Sequence, residues 1–281
     1  MSQINEVNQV ELKTWEEFEA AISSIYEKLE LRRKETRFYV SDPIYRGQEN
    51  GSWKLETTLE RLVPGDYGKE DYYLNMLRIK DGVESYTDKS WPLAKEYKEG
   101  KSSTPPMGYE FMIYLRHHGF PSPLLDWSQS PYVAAFFAFR SAGKNNDENA
   151  SIYSYVESYG DAKAWSTREP TVFLLGPNVT THKRHYIQQC EYTICQKRTD
   201  NGEVYCNHED AFKVKVGQQD ILTKYLLPRS QRSKFLERLN LMNINSFSLF
   251  GNEESLMEML AYQEIEKRHL KNLDEKIAEE R

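Results

Sequence analysis

The 281-residue chain is poor in cysteine and histidine, with three of one and six of the other. An odd set of three thiols is not a disulfide framework and fits a reducing compartment. Cys190, Cys195, Cys206 and His208 make up a Cys3His set on paper. No CxxC knuckle accompanies them, so thiols in or near a strand are the simpler reading and no metal is expected. The chain also lacks any run of 18 apolar residues, and its start, MSQINEVNQVELK, has no apolar signal-peptide core. A soluble, cytoplasmic protein without a membrane partner is expected. Basic residues number 37 against 43 acidic, a formal net charge of -6, which disfavours general electrostatic capture of nucleic acid but leaves room for a local basic patch. There is no internal repeat and no linker long enough to separate domains.

What the chain does hold is an ordinary globular balance, 28% charged and 39% hydrophobic, with aromatics at 13% and 19 tyrosines. The tyrosines serve either a Tyr-rich core and sheet or a pocket that stacks planar ligands such as nucleobases or nicotinamide. Residues 1–12 are polar and expected to fray. Thr14 with Glu17 opens a helix whose Trp15, Phe18, Ile22, Ile25 and Leu29 form one apolar stripe. Extended chain over Phe38–Val40 and Ile44–Tyr45 delivers Arg46-Gly47-Gln48 at a strand end. There the arginine is either a surface charge before a turn or a planar fork for phosphate, with Gly47 letting a ligand approach the backbone.

A helix is expected over Lys69–Val83, and another ends at His117-His118. Prolines then carry the chain to Asp126-Trp127-Ser128. Ser130 has N-cap chemistry and Pro131 suits the first helical position, so YVAAFFAF reads as a buried helix. A polar Asp-Trp-Ser turn at its mouth is costly unless its groups bind something. Alternation makes His182–Ile194 a strand, with Gln189 and Glu191 side by side on one face, about 6–7 Å apart. Phe212, Val214 and Val216 read as a further strand, Ile221–Leu227 as another, and Arg229–Leu241 as a basic amphipathic helix. Asn252 caps a charged C-terminal helix with Leu256, Leu260 and Ile265 inward, a candidate for self-association.

Tyr45-Arg46-Gly47-Gln48, the LRHHGFPSPLLDWSQSPYVAAFFA run and Arg184 followed by Gln188-Gln189 together resemble the FRG domain family, over roughly residues 38–250. Residues 1–37 then form an N-terminal helix packed on the core and 251–281 a C-terminal helix. Tyr45 stands where the family has Phe, and Cys190 where it commonly has Gly.

A second, looser resemblance is to mono-ADP-ribosyltransferases. It rests on the order of a Tyr-Arg-Gly strand, a Ser turn opening an apolar helix and a Gln-x-Glu strand. It implies an α+β fold, a central mixed or antiparallel sheet of short strands flanked by helices, with extra terminal helices. It also implies that Arg46 holds NAD phosphate or ribose, Ser128 braces the nicotinamide end, Glu191 is catalytic and Gln189 positions the acceptor. Tyr45, Gly47, Gln48, His118, Asp126 and Trp127 complete the candidate NAD-binding set, Tyr45 and Trp127 sandwiching the nicotinamide. A carboxylate that accepts from the ribose 2′-hydroxyl stabilises an oxocarbenium-like transition state without a metal.

The expected function is therefore an NAD-consuming enzyme. It would be a mono-ADP-ribosyltransferase acting on a protein or nucleic-acid acceptor, or an NAD hydrolase, of the kind found among toxins and defence effectors. A non-catalytic nucleotide-binding signalling module is the alternative. A metal-independent ribonuclease using His117 or His118 is the third.

Overall fold

The structure is a computed structural model that describes residues 8–98, 105–142, 148–161, 163, 166–176, 183–213 and 219–269. Nine strands are described: β1 (Asn8–Glu11), β2 (Ile44–Gln48), β3 (Tyr67–Gly68), β4 (Leu124–Ser128), β5 (Asn149–Ser158), β6 (Thr171–Leu174), β7 (Cys190–Thr199), β8 (Gly202–Tyr205) and β9 (Gln219–Pro228). They form one mixed sheet in the order β1-β9-β5-β2-β4-β7-β8-β3, with β6 on β7 off this path. Only the β1–β9 pair is parallel among the described pairings. The expected fray of residues 1–12 is thus corrected for Asn8–Glu11, whose backbone groups are satisfied by β9.

Among the described residues ten α-helices accompany the sheet: α1 (Trp15–Glu35), α2 (Thr58–Leu62), α3 (Lys69–Thr87), α4 (Tyr109–His117), α5 (Pro131–Phe139), α6 (Lys183–Ile187), α7 (His208–Lys213), α8 (Arg232–Leu241), α9 (Ser246–Phe250) and α10 (Glu253–Ala261). α5 begins as the sequence dictates. Ser130 accepts the Val133 N–H at 3.3 Å and Pro131 occupies the first turn. Seven of its nine residues are buried, between the sheet and the aromatic cluster of Trp15, Phe18 and Phe235 from α1 and α8. α3 and α4 cover the neighbouring part of the sheet through Tyr72, Tyr73, Met76, Phe111 and Tyr192. A third cluster holds Leu55, Leu125, Trp127, Tyr155 and Phe212. Most tyrosines named here are core, as the plainer account of their number holds.

Three local expectations are corrected. Lys183–Ile187 is a helix rather than part of a strand, and β7 starts only at Cys190. Between them Gln189 has φ +49°, a left-handed turn residue, so Gln189 and Glu191 do not share a strand face. Phe212 lies in α7, while Val214, Val216 and His182 lie outside the described residues. In the C-terminal helix Leu260 and Ile265 are exposed, and Ser255 is the buried residue of α10. No helix among the described residues is long and apolar enough to cross a membrane.

Candidate functional site

β2 and β4 pair only at Tyr45 and Ser128. Beyond that bridge the strands part, and a cavity of about 560 Å³ opens beside the split. Its walls come from Tyr45–Glu49, Trp53, Lys54, Glu56, Arg61, Asp126–Ser128, Ala134, Phe137, Gln188 and Cys190. The volume lies in the range of small-molecule sites.

Arg46 reaches across the split. Its Nη1 donates to the Asp126 carbonyl at 2.6 Å and to the Asp126 carboxylate at 2.8 Å. Arg116, from the last turn of α4, donates to the same carboxylate oxygen at 2.5 Å. Burial would raise the Asp126 carboxyl, but Arg116 and Arg46 outweigh it and hold it well below the ordinary carboxylate range. Asp126 is therefore an ionised bracket that aims Arg46. Arg46 Nε is buried without a hydrogen-bond partner, and so is Gln48 Oε1, whose amide nitrogen holds the Lys54 carbonyl at 3.0 Å. An unpartnered donor and an unpartnered acceptor on one cavity wall are the pattern of a site shaped for a polar ligand.

The remaining expected residues fall into place unevenly. Gly47 lines the cavity, but the space its missing side chain leaves belongs to α5. A Cβ there would stand 1.9 Å from the Ala134 carbonyl oxygen. Its job is helix-on-strand contact, which corrects the ligand-approach reading. Ser128 donates to the Gln188 carbonyl at 2.8 Å and accepts the Ser130 N–H at 3.0 Å, so it braces the turns on either side of the cavity.

The Tyr45 and Trp127 rings are buried and cannot sandwich a ligand ring. Trp127 Nε1 donates to Thr193 Oγ1 at 2.8 Å, and that hydroxyl meets His208 Nε2 at 3.1 Å. Trp53, half exposed at the cavity, and Phe137 are the ring faces available instead. His118 stacks on Tyr114, and its Nδ1 sits 2.7 Å from the Tyr114 carbonyl oxygen; it does not line the cavity. Gln189 is exposed at its turn, away from the lining.

Glu191 is buried and does not line the cavity either. Its Oε1 accepts from Gln129 Nε2 at 2.7 Å, while Oε2 has no partner. Burial raises its carboxyl, with Gln129 working in the opposite direction. The structure thus brings together Arg46, Gln48, Asp126 and Ser128 and leaves His118, Gln189 and Glu191 off the cavity wall.

The Cys3His set on paper dissolves. Cys195 and Cys206 lie 3.5 Å apart, Sγ to Sγ, and His208 is held by Thr193, whereas Cys190 sits opposite Ser128 on the cavity wall.

Sequence reasoning missed Arg116, Trp53, Lys54 and Arg61. Arg116 had a signal, one basic residue beside two conspicuous histidines. The other three lie outside any periodic pattern. No curated protein and no solved structure matches the chain. The FRG domain model matches residues 41–147, a stretch that carries Arg46, Arg116, Asp126 and Ser128 and stops short of Glu191, and this match supports the FRG family.

Proposed function

We propose that the cavity binds a phosphate-bearing nucleotide of the NAD class, and that the chain is a nucleotide-binding module. The observation that carries this is Arg46. Asp126 occupies one end of the guanidinium, and no hydrogen bond within the described residues engages Nε or Nη2. Nη2, with the buried and unpartnered Nε beside it, makes a planar two-donor fork, the geometry that matches phosphate oxygens. Gln48 Oε1 adds an acceptor for a ribose hydroxyl or an amide, Lys54 and Arg61 add positive charge, and Trp53 offers a ring face for a base. Calorimetry with NAD, ADP-ribose and ATP tests it. Binding of NAD or ADP-ribose that is lost in Arg46→Ala supports it, and no heat with any of the three overturns it.

A second reading is NAD cleavage on an ADP-ribosyltransferase-like fold, with transfer to a protein or nucleic-acid acceptor or to water. It is favoured by one feature, the unpartnered Oε2 of Glu191 one residue from the cavity-lining Cys190. An ionised Glu191 that swings into the cavity would meet the ribose hydroxyl of a bound NAD and stabilise positive charge at the anomeric carbon. Release of nicotinamide by the purified protein separates this from binding alone. The ribonuclease reading gains nothing from the geometry, because neither His117 nor His118 lines the cavity.

A further inference from the structure

We propose that His117, His185 and Cys190 form a binding site for a zinc-class divalent ion, separate in its chemistry from the nucleotide cavity. The three come from three elements, the end of α4, the middle of α6 and the first residue of β7. One ligand atom from each lies within 4.8 Å of the other two. His185 and Cys190 are buried, and His117 is partly so.

The Tyr192 hydroxyl stands among them, 2.7 Å from His117 Nε2 and 3.1 Å from His185 Nδ1. The His185 ring stacks on Tyr192 with a 7° interplanar angle, which fixes the orientation of the imidazole. Two imidazoles and a thiolate are the donor set that selects zinc over magnesium or calcium. Three protein donors leave a fourth tetrahedral position for the Tyr192 oxygen or water.

In a tetrahedral zinc site the ligand atoms stand roughly 3.3–3.8 Å apart. Closing the present cluster needs side-chain shifts on the order of 1 Å, not a change of fold. Binding replaces the Cys190 thiol proton, which leaves to solvent, with a metal–sulfur bond, and both imidazoles bind neutral.

The consequence is mechanical. α6 is a five-residue helix that packs on α9 and on β7, and the ion would clamp it to α4 as well. Cys190 is also a cavity wall residue paired with Ser128, so the clamp would fix the wall that carries Gln188. The pairing is invisible in the sequence because His117 is distant in the chain from the other two, and the obvious cysteines, Cys195 and Cys206, face each other instead.

The test uses the full chain, stripped with chelator and titrated with zinc chloride and, for its optical bands, cobalt chloride. One equivalent of zinc per chain, a raised melting temperature and a thiolate-to-cobalt charge-transfer band are expected. Cys190→Ser loses the band, and His185→Gln weakens zinc by about 100-fold or more, beyond what loss of an outer hydrogen-bond partner brings. His117→Gln, at the partly exposed corner, gives the same weakening in a variant whose core is intact. Cys195→Ser and Cys206→Ser retain the band. Absence of stoichiometric zinc in the wild type overturns the proposal, as does a band that survives Cys190→Ser or vanishes with Cys195→Ser. Because no readout uses a nucleotide, failure here leaves the reading of the cavity untouched.

Discussion

Arg46 and Asp126 are joined twice, through the carboxylate and through the backbone carbonyl of the same residue, across the point where β2 and β4 stop pairing. Arg116 holds the same carboxylate from behind. Asp126→Asn leaves two guanidiniums facing each other without their counter-charge. Removing one partner of a buried pair costs about 3–5 kcal/mol. With 43% of the Asp126 side chain exposed, about 1–3 kcal/mol is expected in urea unfolding. The pH dependence follows from the lowered carboxyl. Asp126 contributes stability that is present above the unfolded carboxylate value and is lost as pH falls toward the lower folded one. The Asn variant flattens the acid limb of a melting-temperature profile, and an unchanged limb would refute the bracket.

Gly47 separates two roles that a Tyr-Arg-Gly triplet confounds. With the Ala134 carbonyl 1.9 Å from a built Cβ, Gly47→Ala forces α5 off β2. Overpacking of this kind costs about 3 kcal/mol or more when backbone must move. Gly82, inside α3 with nothing within 4 Å of a built Cβ, is the control. Gly82→Ala is expected to stabilise by about 0.5–1 kcal/mol through helix propensity and unfolded-state entropy. Paired denaturation curves that show similar effects at the two positions would remove the packing argument.

Local signals in the chain were legible where they were complete. Ser130-Pro131 before eight apolar or aromatic residues specifies α5 without tertiary help, and Asn252 caps α10 through Ser255 as a cap should. α6 reads as strand in the sequence because five residues cannot display a 3.6 period and the alternation that truly begins at Cys190 extends back over them; the structure instead buries His185 and exposes Tyr186. The Asp-Trp-Ser turn pointed to the cavity, yet only Asp126 and Ser128 present functional groups there. Trp127 turns inward, since its neighbour across the ladder is buried Glu191 and its indole finds Thr193. Arg116 and Trp53 contribute through tertiary placement alone, and no spacing along the chain encodes that.

Trp127, Thr193 and His208 form a buried polar chain. The indole N–H donates to Thr193 Oγ1 at 2.8 Å, and that hydroxyl stands 3.1 Å from His208 Nε2. The other imidazole nitrogen, Nδ1, is buried without a partner. Burial depresses His208 to about 3, with nearby Arg46 acting in the same direction and the Thr193 contact against it. The unfolded chain takes up this proton near the ordinary histidine value, so stability falls as pH drops from there toward 3. His208→Gln removes that part of the slope between pH 6.5 and 4 in thermal melts, and an identical slope would show that His208 titrates freely.

Trp53 is half exposed, so its replacement reads binding and not folding. On the nucleotide proposal Trp53→Ala leaves the melting temperature within about 0.5 kcal/mol of wild type in free-energy terms. Nucleotide affinity falls about tenfold, the order of one aromatic stacking contact. Calorimetry at matched salt measures both arms. Unaltered affinity places the base elsewhere, with Phe137 the next ring on the wall.

Glu191 decides between binding and cleavage. Its carboxyl is raised by burial, accepts one hydrogen bond from Gln129 and leaves Oε2 without a partner. A raised folded value favours the protonated form on folding. Its contribution to stability is therefore full below the unfolded carboxylate value and is lost as pH rises through the folded one. Glu191→Gln, which copies the neutral shape, is expected to melt higher than wild type at pH 8 and about equally at pH 4. Nucleotide affinity stays within about twofold, because the side chain does not line the cavity. On the cleavage reading the same substitution removes about 10²–10³ in nicotinamide release, the scale of a lost transition-state electrostatic contact. Wild-type release also rises with pH as the carboxyl ionises. Equal release from the two proteins at every pH would take Glu191 out of the chemistry, and release from neither would leave the cavity as a binding site.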